Sequence, residues 1–182
     1  MDLSILLWIQ THLRCDLLDF IFKTFTTLGD AGLIWILLAF ILIIRKETRY
    51  TGLIMALSLI LSVLVADIGI KNLVNRPRPF IVYPFDLIIT PPHGTSFPSG
   101  HSASSFAAAW SYMLTHKNKI RYFWVALAST IAFSRLYLFV HFPTDVLMGL
   151  AIGILLAYFS RAIIDWIVNT KTWSWLPEKP LK

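Results

Sequence analysis

The chain of 182 residues is 57% hydrophobic and 14% charged, whereas a soluble domain is about 45–50% apolar and about a quarter charged. With a mean hydropathy of +0.68, the composition excludes an ordinary soluble domain and predicts an integral membrane protein with one domain, residues 1–182. The formal net charge of +6 is better explained by basic loops facing anionic lipid, so no nucleic-acid partner is expected. The single cysteine, Cys15, excludes an internal disulfide and a cysteine metal cluster.

The first 25 residues are predicted to lie at the membrane interface. Residues 1–10 lack a basic n-region and a small-residue cleavage site, so no removable signal peptide is expected. Charged side chains interrupt residues 2–23, while apolar residues recur at helical spacing, which predicts amphipathic helices lying on the bilayer. A sixth, poor membrane span is the alternative interpretation of this segment.

Five apolar stretches follow, and a helical span needs about 20 mostly apolar residues. The predicted spans are residues 26–44, 52–71, 100–116, 120–139 and 144–167. They define an all-α polytopic bundle with a transmembrane core at 26–167. The first span is the least regular, because Asp30 lies near its start. Residues 168–182 are predicted to be a cytoplasmic tail, with Trp173 and Trp175 in an interfacial belt.

The placement of lysine and arginine predicts the topology. The 45–51 link, the 116–121 link and the tail each carry three basic residues, which the positive-inside rule assigns to the cytoplasm. The 72–99 loop and the 139–144 turn then lie outside, in a multi-pass protein of the cell membrane. The loop contains six of the nine prolines, so it is expected to be a functional loop rather than a helix. Four cations contradict the rule and therefore indicate chemistry: Lys71, Arg76, Arg78 and Arg135.

Three of these cations are candidate phosphate ligands. Lys71 and Arg78 flank a stretch whose prolines prevent a continuous helix, so the chain can turn both side chains toward one point. Arg135, near the end of its own span, needs a deep partner. Arginine binds phosphate bidentately and lysine binds it as a point charge. Snorkelling to the interface is the alternative explanation for Lys71 or Arg78 taken singly.

The sequence Pro98-Ser99-Gly100-His101 opens a predicted helix. Ser99 is a good N-cap, and Gly100 permits close approach of the backbone to a ligand. The free N–H groups and the dipole of this terminus form an anion site, and His101 lies in the same first turn. The alternative is an ordinary capped helix.

His141 and Asp145 are four residues apart. If a helix begins near Phe142, this spacing places both side chains on one face and within reach of each other. A carboxylate bound to one ring nitrogen fixes the tautomer and leaves the other nitrogen free to attack. The alternative is an interfacial histidine beside a helix-capping aspartate.

Together the clusters resemble the signature of the type 2 phosphatidic acid phosphatase family, lipid phosphatases that share an active site with vanadium haloperoxidases. That signature is lysine, six residues, Arg-Pro; then Pro-Ser-Gly-His; then Ser-Arg, five residues, His, three residues, Asp. All three parts match in order over residues 71–145. The matching residues are Lys71, Arg78, Pro79, Pro98, Ser99, Gly100, His101, Ser134, Arg135, His141 and Asp145.

The resemblance implies a role for each of these residues. His141 is expected to form a phosphohistidine, with Asp145 orienting it. His101 is expected to protonate the departing oxygen and then to activate water. The phosphoryl oxygens are expected to bind Lys71, Arg78, Arg135, Ser99 and the Gly100 N–H. No metal and no cofactor is implied.

The implied function is hydrolysis of a membrane lipid phosphate or diphosphate at the outer face. The candidate substrates are undecaprenyl diphosphate, phosphatidylglycerophosphate, phosphatidic acid and a lipid A phosphate, and the oligomeric state stays open. The alternatives are a vanadium-dependent haloperoxidase and a non-catalytic protein that binds or transports lipid phosphates. Outside the signature, Asp67 is a candidate partner of Lys71, and His93 and Asp86 either contact the head group or are solvated loop residues.

Overall fold

The computed structural model describes residues 1–170, which form helices and no strand, as the all-α prediction requires. The helices are α1 (Asp2–His12), α2 (Asp16–Gly29), α3 (Leu33–Ile44), α4 (Arg49–Ser62), α5 (Lys71–Val74), α6 (Pro79–Val82), α7 (Gly100–Thr115), α8 (Ile120–Tyr137) and α9 (Pro143–Thr170). A 3-10 turn, Asp30–Gly32, joins α2 to α3, and a π-helical segment, Val63–Ile70, joins α4 to α5. The predicted belt residues Trp173 and Trp175 lie outside the described residues.

Three stretches of the described chain are long and apolar enough to cross a membrane. They are Asp16–Ile44, Arg49–Val82 and Pro143–Thr170. Helices α7 and α8 coincide with the other two predicted spans, but they have only 16 and 18 residues. The alanines of α7 and its serines other than Ser104 are buried among neighbouring helices, so this helix does not need a strongly apolar surface toward lipid. The number of five spans stays a prediction.

The structure has no helix boundary at residue 26, where the sequence divides an interfacial region from a first span, and that division stays a prediction. Helix α2 runs without a break through this position to Gly29. The chain turns at Ala31 and Gly32, whose φ angles of 51° and 68° are left-handed and end the helix. A hydropathy window does not detect such a turn. Helix α1 also differs from an amphipathic interfacial helix, because Leu6 is buried while Trp8 is 54% exposed.

Helix α7 is at the centre of the bundle and packs most closely on α9. Two glycines of α9 allow this approach: a Cβ on Gly149 would lie 2.5 Å from the Ser99 carbonyl oxygen, and one on Gly153 would lie 2.4 Å from that of Ala103. The Trp35 indole donates a hydrogen bond to Ser105 Oγ at 2.9 Å, which ties α3 to the same helix. The N-terminus of α7 is therefore held against the start of α9.

The two ends of the bundle differ in composition. At one end the basic 45–48 and 116–119 links meet the last turns of α9, where Tyr50 donates to Asp165 at 2.6 Å and Arg161 donates to the Leu114 carbonyl at 2.9 Å. At the opposite end lie the start of α7, the end of the π-helical segment and the α8–α9 turn. The predicted irregular loop at this end contains the end of the short helix α5 and the short helix α6, with Pro79 at the first position of α6, where proline is favoured.

Candidate active site

The turn between α8 and α9 fixes Arg135 and His141 relative to each other. The backbone N–H groups of Val140 and His141 donate to the Arg135 carbonyl at 3.2 Å and 3.3 Å. Phe139 adopts a left-handed φ of 61°, and its ring stacks on Phe85 with centroids 4.5 Å apart. Packing thus holds a backbone conformation that is uncommon for a residue other than glycine.

Asp145 is fully buried in the first turn of α9, beside His141. Its Oδ2 accepts hydrogen bonds from Ser96 Oγ at 2.5 Å and from the Phe142 N–H at 2.8 Å, and it lies 3.6 Å from His141 Nδ1. Its Oδ1 accepts from Arg76 at 2.7 Å. Oδ2 thus accepts two hydrogen bonds, and Oδ1 accepts one from a cation. These contacts stabilise an ionised carboxylate in a buried position.

His141 presents its Nε2 lone pair to the site. Arg78 Nη1 lies 3.2 Å from this nitrogen, and because a guanidinium only donates, Nε2 is the acceptor and the ring proton belongs on Nδ1, toward Asp145. Burial lowers the pKa of His141, Asp145 opposes that effect, and the charges of Arg135 and Arg78 lower the pKa further. The ring is therefore neutral at neutral pH, as a nucleophile requires.

Arg78 is clamped by backbone carbonyls of the loop and the turn. Its Nε, Nη1 and Nη2 donate to the carbonyls of Gly94, Val140 and His93, each at 3.0 Å. These bonds fix the plane of the guanidinium beside His141 and explain why the long loop packs against the bundle. The His93 and Asp86 side chains are exposed and are absent from the lining of the cavity described below.

The π-helical segment brings Asp67 and Lys71 to the N-terminus of α7. Lys71 Nζ pairs with the Asp67 carboxylate, as the sequence suggested for these residues. A Cβ on Gly100 would lie 2.5 Å from Asp67 Oδ1, so a side chain at position 100 would displace this carboxylate. Single π-helical turns are frequent at functional sites.

Arg135 has capacity left for an anion. One of its terminal nitrogens donates to Thr26 Oγ1, whereas its buried Nε has no hydrogen-bond partner within residues 1–170. An unsatisfied buried donor is costly, and a phosphoryl oxygen would satisfy it. Ser99 caps α7 as predicted, because its side chain accepts from the Ser102 N–H at 3.4 Å and from Ser102 Oγ at 3.0 Å, while its role in binding phosphate stays a prediction.

His101 lies on the first turn of α7 and faces the 3-10 turn. Its Nε2 is 3.0 Å from Asp30 Oδ1, and its ring packs so closely on Gly29 that an added Cβ would lie 2.8 Å from Cδ2. Asp30 is 58% exposed through its side chain. The Asp30 carboxylate therefore orients the ring.

One cavity of about 650 Å³ connects these groups. Its polar end brings together six of the eight predicted site residues, namely Lys71, Arg78, Gly100, His101, Arg135 and His141. Ser99 and Asp145 lie behind this lining. An apolar arm extends between α3 and the helix formed by α4 and the π-helical segment, and it is lined by Ile36, Ala39, Phe40, Ile43, Ala56, Leu59, Ile60 and Val63. The segment from Ile36 to Ile43 is about 10 Å long at the helical rise.

Sequence reasoning missed the contacts of Ser96, Asp30, Asp2 and Thr144, and it marked Arg76 as a cation that indicates chemistry without giving it a specific role. Asp30 carried a detectable signal, because a lone charge at the edge of an apolar stretch is a functional hypothesis by default. The contacts of Ser96, Asp2 and Thr144 join segments far apart in the chain, so no local pattern could reveal them.

Comparisons with known proteins agree with this geometry. The profile of the PAP2 superfamily matches residues 51–169. An undecaprenyl-diphosphatase of Sulfolobus acidocaldarius is 29% identical over 131 residues, which are 71% of this chain and 63% of the relative. The chain therefore matches somewhat less than two thirds of the length of this curated relative.

Two solved structures share the fold. The crystal structure of LpxE from Aquifex aeolicus superposes with a TM-score of 0.71 at 32% identity, covering 87% of this chain and 93% of the other. The PAP2-type phosphatidylglycerolphosphate phosphatase of Bacillus subtilis superposes with a TM-score of 0.73 at 26% identity, covering 91% and 85%. The helical bundle thus has counterparts in both solved structures.

Proposed function

Because the chain belongs to the PAP2 superfamily, we propose that it is a membrane phosphatase that hydrolyses a lipid phosphate or diphosphate through a phosphohistidine at His141. One observation supports this function above all others. A single cavity joins a basic end containing two histidines to an apolar arm between helices. A phosphoryl group on a lipid chain has the matching polarity, with charge at one end and hydrocarbon at the other.

In the first half-reaction His141 Nε2 attacks the phosphorus atom. A P–N bond forms as the P–O bond to the leaving group breaks, and His101 donates a proton to the departing oxygen. Lys71, Arg78, Arg135 and the N-terminus of α7 stabilise the charge on the transferred group. Asp145, whose Oδ2 lies 3.6 Å from Nδ1, accepts a hydrogen bond from the Nδ1–H and stabilises the imidazolium that forms, with no proton transfer to the carboxylate.

In the second half-reaction water replaces the leaving group. His101, now neutral, removes a proton from the attacking water, and the P–N bond breaks to release inorganic phosphate and neutral His141. Before substrate binds, Asp30 Oδ1 lies 3.0 Å from His101 Nε2 and orients the ring that carries the proton. The substrate oxygen takes over the His101 Nε2 contact when the cavity is filled.

The substrate class follows from the apolar arm and from the relatives. A diphosphatase acting on an undecaprenyl lipid and a phosphatase acting on phosphatidylglycerolphosphate are among the matched proteins, and both names describe a terminal phosphoryl group on a hydrocarbon anchor. Phosphatidic acid and a lipid A phosphate present the same chemistry. The arm between α3 and α4 selects for the hydrocarbon rather than for one head group.

The active site is proposed to face the extracytoplasmic side of the cell membrane. The polar end of the cavity is at the end of the bundle opposite the basic 45–48 and 116–119 links, whose cations are Arg45, Lys46, Lys117 and Lys119. The positive-inside rule assigns such links to the cytoplasm. An outward site suits a substrate that reaches the enzyme laterally in the outer leaflet.

A substrate panel tests the proposed function. Phosphate release by the purified protein in detergent is measured on the four candidate lipids, with EDTA present and with and without vanadate. We expect turnover of at least one lipid in EDTA and inhibition by vanadate, which occupies phosphate sites. Release from none of the lipids, or loss in EDTA that Mg²⁺ restores, would overturn the proposal.

A further inference from the structure

Arg76 contacts the buried carboxylate, although the family signature does not include this arginine. Its Nη1 donates to Asp145 Oδ1 at 2.7 Å. The other carboxylate oxygen, Oδ2, accepts from Ser96 and the Phe142 N–H and faces His141. Arg76 therefore holds the one oxygen that does not face the histidine, and it fixes the rotation of the carboxylate.

The rest of the guanidinium is tied to α1. Arg76 Nη2 donates to Asp2 Oδ2 at 2.9 Å, and Thr144 Oγ1 donates to the same oxygen at 2.5 Å. Arg76 Nη1 also contacts Thr144 Oγ1 at 2.7 Å. The guanidinium carbon lies 4.0 Å from the centroid of the Phe142 ring. We call Asp2, Arg76 and Thr144, with these contacts, the α1 clamp.

The α1 clamp continues into the loop that carries Ser96. The Ser96 N–H donates to the Arg76 carbonyl at 2.8 Å, while Ser96 Oγ donates to Asp145 Oδ2 at 2.5 Å. The backbone and the side chain of Arg76 thus act on the same carboxylate, one through Ser96 and the other directly. A shift of Arg76 would move both contacts.

Charge explains why this arrangement matters for the chemistry. Asp145 is fully buried, and a buried carboxylate needs a cation or several donors. His141 must stay neutral to attack, so it cannot be that cation in the resting enzyme. The other charged groups near the pair are Arg78 from the loop and Arg135 from α8, and both lie on the cavity side. Without Arg76, a second ring proton, on His141 Nε2, would compensate the buried charge of Asp145. That proton would block the lone pair that attacks phosphorus.

We propose that Arg76 is a positioning residue that keeps Asp145 ionised and correctly rotated against His141, and that Asp2 of α1 holds Arg76 in place. This inference rests on the proposed role of His141 as the nucleophile. It gives α1, which lies outside the matched profile at residues 51–169, a part in the reaction. Burial and hydrogen bonds act on Asp2 in opposite directions, and the bonds from Thr144 and Arg76 prevail, so its pKa is lowered and it is anionic at neutral pH.

The test compares Arg76→Gln, Arg76→Lys and Asp2→Asn in the full-length protein. Single-turnover phosphorylation of His141 is measured beside the affinity for vanadate. Arg76→Gln is expected to slow phosphorylation by about 10²-fold, as misplacement of a reacting group does, with little change in vanadate affinity. Arg76→Lys should phosphorylate faster than Arg76→Gln but more slowly than the wild type. Lysine keeps the positive charge but cannot donate from two fixed nitrogens to Asp145 and Asp2. Adding Asp2→Asn to Arg76→Gln should not slow phosphorylation further, because the two substitutions disrupt the same contact to Asp145.

Arg14→Gln is the matched control. Arg14 also pairs with a carboxylate, Asp19, at 3.9 Å and lies over a phenylalanine ring, Phe85, at 5.2 Å, but it has no contact with Asp145. Its substitution should leave the phosphorylation rate unchanged. A second readout is ¹⁵N NMR of His141, whose ring should take up a proton at higher pH in Arg76→Gln than in the wild type.

Three results would overturn the inference. Parallel losses of phosphorylation rate and vanadate affinity would make Arg76 a substrate ligand. An unchanged rate per folded molecule, with only a lower melting temperature, would make the α1 clamp purely structural. An unchanged NMR titration of His141 would remove the electrostatic argument. If the wild type forms no phosphohistidine, the proposed function fails instead, and the NMR titration still decides the coupling between Arg76 and His141.

Discussion

His101 is proposed to protonate the departing oxygen, and the benefit of this proton depends on the leaving group. A lipid alkoxide leaves poorly without a proton, and general acid catalysis contributes about 10²–10⁴-fold. An activated aryl phosphate leaves without this help. His101→Ala should therefore lose far more activity on a lipid phosphate monoester than on p-nitrophenyl phosphate.

The comparison must be made on phosphoenzyme formation in single-turnover experiments, because His101 also activates water in the second half-reaction. His12→Ala is the control, since His12 is exposed on α1 and does not line the cavity. Equal slowing of both substrates would make His101 a binding or structural residue.

The buried His141 also predicts how stability depends on pH. Its pKa is lowered in the folded protein, whereas an unfolded histidine titrates near about 6.5. As pH falls below that value the unfolded state binds the proton and the folded state does not, so stability falls by up to about 1.4 kcal/mol per pH unit from this residue.

Thermal unfolding in detergent between pH 7 and pH 5 measures this effect. The melting temperature of the wild type should decrease toward pH 5 more steeply than that of His141→Gln, which lacks the titrating ring. Identical slopes for the two proteins would mean that His141 is not held neutral by the fold.

The sequence predicted which side chains gather at one place better than it predicted the residues that support them. Lys71, Arg78, His101, Arg135 and His141 meet at one cavity as expected, because charge beside apolar spans is costly and marks chemistry. The sequence indicated that Ser99 caps α7, but it could not show that Ser96 supports Asp145 or that Asp30 contacts His101. These assignments depend on side-chain directions that arise only when distant segments pack.

At the scale of helices, the space between α3 and α4 determines which substrates fit. The small side chain of Ala56 lines the apolar arm of the cavity. Ala56→Phe should fill this arm and reduce kcat/KM for a long-chain lipid phosphate far more than for p-nitrophenyl phosphate, which has no chain to place there. The rates on the two substrates, measured in the same detergent, give the ratio.

Leu64→Phe is the matched control for that substitution. Leu64 is 50% exposed on the same continuous helix and does not line the cavity, so the ratio between substrates should stay at the wild-type value. If Ala56→Phe also leaves the ratio unchanged, the hydrocarbon chain lies elsewhere.

Apolar pattern predicted where helices occur, but not how they are interrupted. The kink at Ala31 and Gly32 and the π-helical turn at Val63–Ile70 occur inside apolar stretches, where composition does not change. Both interruptions face the active site: one presents Asp30 to His101, and the other presents Lys71. Packing against α7 determines these local geometries, so the positions of the two interruptions cannot be predicted from the apolar pattern of one sequence.

At the scale of the whole molecule, the two ends of the bundle are expected to face different compartments. In a Cys15→Ala background, a cysteine at His93 should react with a membrane-impermeant thiol reagent in intact cells, and one at Asn118 should react only after lysis. Both positions are exposed in the structure, so a failure to react reports the membrane barrier rather than burial. The reverse pattern would place the active site in the cytoplasm.

A trapped phosphoenzyme tests the central claim most directly. A lipid phosphate labelled with ³²P in its terminal phosphoryl group is mixed with the enzyme and quenched with alkali, which preserves phosphohistidine. We predict a label that acid removes, that maps to the peptide containing His141, and that is absent from His141→Ala. Turnover by the wild type with the label on another residue, or His141→Ala releasing phosphate at the wild-type rate, would contradict the proposed mechanism.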